Sequence, residues 1–319
     1  MTTSATRQAE FRVGDTLLTA PPGQPLLMGI LNAGPDSFSD PGRRSLDELV
    51  RRGVSLVEQG AAIVDVGGES GRTDRPPVPV EVEIERVVPV IRRLAEEGVL
   101  VSIDTWRSPV ARAALEAGAR LVNDMTALCD PRLLELCAQT GASLVLCHTR
   151  AAPKSAGPRG DGADVLPDVI GLLAELRDRA TAAGIAPDRL LLDPGIDVAK
   201  TPYQSVRILR QLERLHALGC ALLVACSRKD FIGAICGRPP ADRLGGTLAA
   251  VARAADAGAQ LVRVHDVAQV RDFLAVRAAL SGAAAVAPDL VLAEELRRQA
   301  PPETVASDSL PGRPPSGRR

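Results

Sequence analysis

Short apolar runs recur along the chain, and each ends abruptly in polar residues. They cover residues 26–31, 61–66, 99–103, 121–122, 143–147, 190–192, 221–225 and 260–264. Runs of this length without polar alternation read as strands of a parallel sheet covered on both faces. Between them lie stretches with helical periodicity, among them 46–59 and 80–97. Several close on a glycine suited to a helix C-cap: Gly118, Gly141, Gly184, Gly219 and Gly258. Glu81, Glu83 and Glu85 crowd the positive end of the second helix.

Strand and helix alternate eight times between Leu26 and about Leu280. All eight strands look equally buried, which predicts a closed α/β fold, a (β/α)8 TIM barrel, over residues 25–282. Residues 1–24 read as a leader in which 11–18 can form a hairpin turning at Gly14 and Asp15, plugging one end of the barrel. Residues 283–319 read as an extension, with one further helix near 293–299 and disorder in the Pro/Ser/Arg-rich part from Pro301. The Gly/Pro/Ala-rich stretch 150–167 predicts a long mobile loop on the face where barrel enzymes place their chemistry.

Composition narrows the partners. A net charge of −1, no basic block and few aromatics argue against nucleic acid. No apolar run approaches the ~20 residues of a membrane span, and residues 1–10 lack the apolar core of a secretory signal. Cytoplasmic residence is the expectation. The six cysteines form no C-x-x-C pair and read as buried, inert thiols.

The strand ends carry the candidate chemistry: Asn32, Asp65, Asp104, Asn123, His148, Asp193, Ser227, Lys229, Arg263 and His265. Taken singly, an Asp or Asn past a strand is more often a cap or turn residue. A lone histidine such as His148 is more often a packing residue. Their concentration outweighs that, because the C-terminal ends of barrel strands share one mouth. Asp65, Asp104, Asn123 and Asp193 suit a flat heterocycle with amino and ring N–H groups. Lys229, Arg263, His265 and Asn32 suit an anion such as a phosphate, and the Arg263 guanidinium could also stack on a ring. Ser227 as a nucleophile has no His–Asp relay beside it in sequence. No HExxH, P-loop or GxGxxG signature appears. These groups imply an enzyme joining or cleaving something with an anionic group and a polar planar ring.

The motifs Met28-Gly-Ile-Leu-Asn32, Pro35-Asp-Ser-Phe-Ser-Asp40, Asp65-Val-Gly-Gly-Glu-Ser70, Ser102-Ile-Asp-Thr105 and Val122-Asn-Asp124 stand in one order with Asp193-Pro-Gly-Ile196, Ser227-Arg-Lys229 and Arg263-Val-His-Asp-Val267. Together they resemble the dihydropteroate synthase family from Leu26 to about Leu280. The resemblance implies a homodimeric barrel that condenses 7,8-dihydropterin-6-ylmethyl diphosphate with p-aminobenzoate in folate biosynthesis. It implies that Asp65, Asp104, Asn123, Asp193 and Lys229 hold the pterin, with Arg263 stacked on it. Arg263, His265 and Asn32 would serve the diphosphate, with Mg2+ at Asn32, and Ser227 would meet the acceptor's carboxylate. Lys229, Arg263, Asp104 and Asp193 are the expected catalytic set, and Phe38 and Arg72 the substrate contacts from the first two loops.

Departures from the family's pattern cluster on the acceptor side. Ala33-Gly34 stands for Val-Thr, Gly71 and Thr73 flank Arg72 in a changed second loop, and Cys147 and Thr149 replace methionines. Asp197-Val-Ala-Lys200 stands for Gly-Phe-Gly-Lys. A carboxylate at Asp197 would repel an incoming benzoate by roughly 1–4 kcal/mol at ~4 Å, unless Arg72 or Lys200 pairs with it. Three readings stay open: a working synthase, a paralogue with another partner or chemistry, and a noncatalytic pterin-binding protein. Pterin-binding methyltransferases share the barrel, but nothing here resembles a cobalamin module.

Overall fold

A computed structural model of the chain describes residues 9–34, 45–69, 76–155, 164–293 and 296–297. Two short strands, β1 (Ala9–Val13) and β2 (Thr16–Ala20), form an antiparallel hairpin. Eight parallel strands follow: β3 (Leu26–Asn32), β4 (Ile63–Gly67), β5 (Val101–Asp104), β6 (Leu121–Asp124), β7 (Ser143–Cys147), β8 (Leu190–Asp193), β9 (Ala221–Val224) and β10 (Leu261–Val264). They close into a barrel in chain order, β10 pairing with β3 through Leu261 and Leu26. The helices between them cover the outside.

Strand parity divides the apolar residues into two cores. Met28, Ile63, Leu121, Val145, Leu191, Leu223 and Leu261 point inward and cluster at the barrel's lower end. Their alternates, Val64, Val101, Val122, Leu144, Leu190, Leu222 and Val262, belong to the larger core shared with the helices. Two residues further along, the inward positions become Asp65, Asn123, Asp193 and Arg263. The same alternation that fills the barrel with hydrocarbon therefore aims the polar groups into its mouth.

The hairpin closes the opposite end. Phe11 and Val13 are fully buried in the inward cluster. The Ser143 hydroxyl donates to the Arg12 carbonyl at 2.8 Å and accepts the Gly14 N–H at 3.2 Å, fixing the turn against β7. Phe11→Ala should lower stability by about 3–5 kcal/mol, because it empties a sealed site. The urea midpoint would show this, with an unchanged slope marking it as a stability effect.

Some expectations change. Of the six free cysteines, Cys129 and Cys236 are exposed, while Cys137, Cys147, Cys220 and Cys226 are buried. Burial pushes the Cys137 and Cys226 thiols up to about 12, so those two are inert at neutral pH. Glu83 does more than line a helix terminus. It is fully buried, accepts the Thr105 hydroxyl at 2.8 Å and pairs with Arg107. Residues 283–293 form no helix or strand. Most of 293–299 and all of 301–319 lie outside the described residues, as do 156–163 of the long loop after β7.

Candidate active site

Arg263 organises the barrel mouth. Its Nε lies 2.6 Å from Asp65 Oδ2 and its Nη2 lies 2.7 Å from Asp104 Oδ2. Asn123 Nδ2 donates to the same Asp65 oxygen at 2.9 Å. Four strands thus contribute to one hydrogen-bonded cluster. Asp65 Oδ1 and Asn123 Oδ1 are buried without a protein partner, so acceptor capacity is left over. Burial raises the Asp104 carboxyl to about 7, against the pull of Arg263 and Lys229 and with the Asp65 charge adding to the rise.

Asp193 enters from β8 in register with Cys147, and both are buried. Burial also raises the Asp193 carboxyl. Its Oδ1 accepts the Gly195 N–H at 2.7 Å. Gly195 has φ +69, and a Cβ there would lie 2.1 Å from the His148 carbonyl, so only glycine fits this turn. Lys229 is half-buried at the start of the helix Asp230–Cys236. Its charge opposes the rise at both Asp104 and Asp193.

Ser227 and His265 meet, although neither sequence neighbourhood suggests it. The Ser227 oxygen accepts the His265 backbone N–H at 3.3 Å, and its hydroxyl lies 3.0 Å from His265 Nδ1. The Ser227 hydroxyl thus bonds both the backbone and the ring of His265. Burial and the charges of Arg263 and Arg228 lower His265 to about 3. At neutral pH the imidazole is therefore uncharged. Asp266 does not complete a relay, because its two oxygens grip Arg228 at 2.5 and 3.0 Å.

His148 is not brought into the cluster. It lies one residue past inward-facing Cys147, and its Nε2 sits 3.0 Å from Asp168 Oδ2, which Arg150 also binds. Lys200 was invisible to strand parity because it lies in a loop. Its Nζ donates to the carbonyls of His148 at 3.0 Å and Val198 at 3.2 Å, and burial lowers it to about 8. Equally unforeseen is the buried ionic group beside the mouth, where Glu69 meets Arg107 at 3.0 Å and Lys154 at 3.1 Å. Phe38 and Arg72 lie outside the described residues.

Asn32 ends β3 opposite Gly67, where a Cβ would stand 3.7 Å from both Asn32 Oδ1 and Asp104 Cβ. Glycine keeps that space open. Among the described residues no cluster of three or more His, Cys, Asp or Glu could hold a metal. One amide oxygen suits Mg2+ that takes its other ligands from a diphosphate and water.

Six non-glycine residues have positive φ among the described residues: Ala127, Leu128, Lys154, Asp197, Ala199 and Arg228. All lie in loops after β6, β7, β8 and β9, on the face that carries the cluster. Strain of this kind gathers where surrounding structure holds a functional geometry.

Residues 28–265 match the family described as pterin binding enzyme. The dihydropteroate synthase of Synechocystis sp. is 42% identical over 258 residues, covering 80% of this chain and 89% of that protein. The solved structure of the Xanthomonas albilineans dihydropteroate synthase with 4-aminobenzoic acid superposes with a TM-score of 0.78 at 40% identity, covering 86% of this chain and 98% of the other. An inactive dihydropteroate synthase 2 of Mycobacterium leprae is 39% identical over 269 residues, covering 81% of this chain and 91% of that one. With its barrel, its strand-end cluster and these relatives, the chain belongs to the pterin-binding enzyme family, among the dihydropteroate synthase-type transferases.

Proposed function

We propose that the protein condenses 7,8-dihydropterin-6-ylmethyl diphosphate with p-aminobenzoate, releasing pyrophosphate, as a cytoplasmic homodimer. The observation that carries this reading is the spare acceptor capacity of Asp65 Oδ1 and Asn123 Oδ1 beside Arg263, Asp104 and Asp193. Buried acceptors without partners call for donors, and a pterin edge offers amino and ring N–H groups. Asp65, Asp104, Asn123, Asp193 and Lys229 hold that edge, and Arg263 lies against the ring. His265, Arg263 and Asn32 take the diphosphate, and Ser227 takes the acceptor's carboxylate.

In the reaction the bond from the pterin methylene carbon to the diphosphate oxygen breaks, and its electron pair leaves with pyrophosphate. The amine lone pair forms the new C–N bond, and the ammonium proton passes to solvent. Asp104 and Asp193 stabilise positive charge on the pterin, while Arg263 and Lys229 offset the negative charge nearby. Mg2+ held at Asn32 would supply further charge stabilisation to the leaving group.

Asp104 makes this pH-dependent. The rate at limiting pterin diphosphate should rise with pH around about 7, as Asp104 ionises, and that limb should vanish in Asp104→Asn. Stability should move the other way. Asp104 is raised from 3.8 to about 7 on folding, so between those values the native state holds a proton the unfolded chain has lost. Its contribution therefore falls as pH rises through that window.

Incubation with pterin diphosphate and p-aminobenzoate should give a product with the mass of dihydropteroate. A second reading, a paralogue with another acceptor or a noncatalytic pterin-binding protein, is favoured by the inactive M. leprae relative. It predicts pterin diphosphate binding with no dihydropteroate formed, and pyrophosphate release then separates another acceptor from no catalysis.

A further inference from the structure

Asp197 stands where the family pattern has glycine, and its backbone is left-handed at φ +59. A carboxylate side chain is kept there despite the strain, and both its oxygens are engaged. Oδ2 accepts the Phe231 N–H at 2.9 Å, and Oδ1 accepts the Ser205 hydroxyl at 2.8 Å. The Asp197 N–H donates back to Ser205 Oγ at 3.1 Å. One side chain thereby ties the loop after β8 to the helix Pro202–Leu209 and to the first turn of the helix Asp230–Cys236. Phe231 is two residues from Lys229 and four from Ser227.

The Ser227–Lys229 turn is itself strained and braced. Arg228 has φ +56, its N–H donates to Thr247 Oγ1 at 3.0 Å, and its carbonyl accepts Arg243 Nη1 at 2.9 Å. These contacts grip the middle of the turn from one side, and Asp197 holds the stretch just beyond Lys229 from the β8 side. Lys200, the cation nearest to Asp197 in sequence, donates to the His148 and Val198 carbonyls.

We propose that Asp197 is a positioning residue: it clasps the start of the helix after β9 and so fixes Lys229 over the pterin cluster. The inference rests on the functional reading above for its substrate, but the clasp itself is a property of the chain. It recasts the carboxylate expected to repel an acceptor as a brace satisfied by its own fold.

Two variants test it. Asp197→Gly removes both carboxylate bonds and relieves the left-handed backbone, whereas Asp197→Asn keeps an acceptor for Phe231 and a donor for Ser205 Oγ. Titration calorimetry with 7,8-dihydropterin-6-ylmethyl diphosphate should show Asp197→Gly binding about tenfold more weakly, from lost positioning. Its melting temperature should not fall, and Asp197→Asn should bind as the wild type does. Wild-type affinity in Asp197→Gly overturns the proposal. Equal loss in both variants also overturns it, pointing to charge instead. Amide exchange at Phe231 reads the clasp without any substrate. It should quicken by about tenfold in Asp197→Gly only, on loss of one hydrogen bond, and unchanged exchange refutes the clasp. If wild-type protein does not bind the pterin diphosphate at all, the functional reading fails while the exchange result still decides the clasp.

Discussion

Arg263→Leu is expected to lose both turnover and roughly 3–5 kcal/mol of stability. Asp65 is fully buried and Asp104 half-buried, and each loses its guanidinium partner at 2.6 and 2.7 Å. Unpaired buried carboxylates are costly because nothing replaces their lost hydration. Urea unfolding would register the loss directly. A compensated variant, Arg263→Leu with Asp65→Asn and Asp104→Asn, should recover much of the stability and none of the activity. Recovery of activity along with stability would mean that Arg263 serves only the fold.

Lys229→Ala should have the opposite profile. The side chain is half-buried at a helix start and caps through its backbone, where its carbonyl accepts the Ile232 N–H at 3.1 Å. Folding should survive with a melting temperature near wild type. Turnover should fall by roughly 10²–10⁴, the scale for removing one preorganised electrostatic group. The pH limb assigned to Asp104 should also move upward, because the Lys229 charge lowers that carboxyl. Wild-type turnover in Lys229→Ala would remove it from the site.

The barrel and most of the polar cluster were legible in the sequence because strand parity is a local property. Once Ile63 is inward, Asp65 is inward, and the same step carries Leu121 to Asn123, Leu191 to Asp193 and Leu261 to Arg263. Parity also separates Asn123 from Asp124. The latter faces the opposite way and binds the backbone N–H groups of Thr126 and Leu128, building its own loop. Pairings between strand ends were not legible. Asp65 and Arg263 are 198 residues apart, and no local pattern says that they share a hydrogen bond. The same holds for Ser227 with His265, and for Glu69 with Lys154 across two loops. Loop residues defeat parity altogether. Asp197 looked from its charge like an obstacle to the acceptor, and only its contacts with Phe231 and Ser205 reveal a brace.

The central claim is that the mouth of this barrel is a pterin diphosphate cradle, and it does not depend on the acceptor. Titrating 7,8-dihydropterin-6-ylmethyl diphosphate into the protein with Mg2+ and no acceptor tests it most directly. The account predicts saturable binding at one site per chain, lost in Lys229→Ala and Asp193→Asn. Absence of saturable binding to the folded wild-type protein would contradict it.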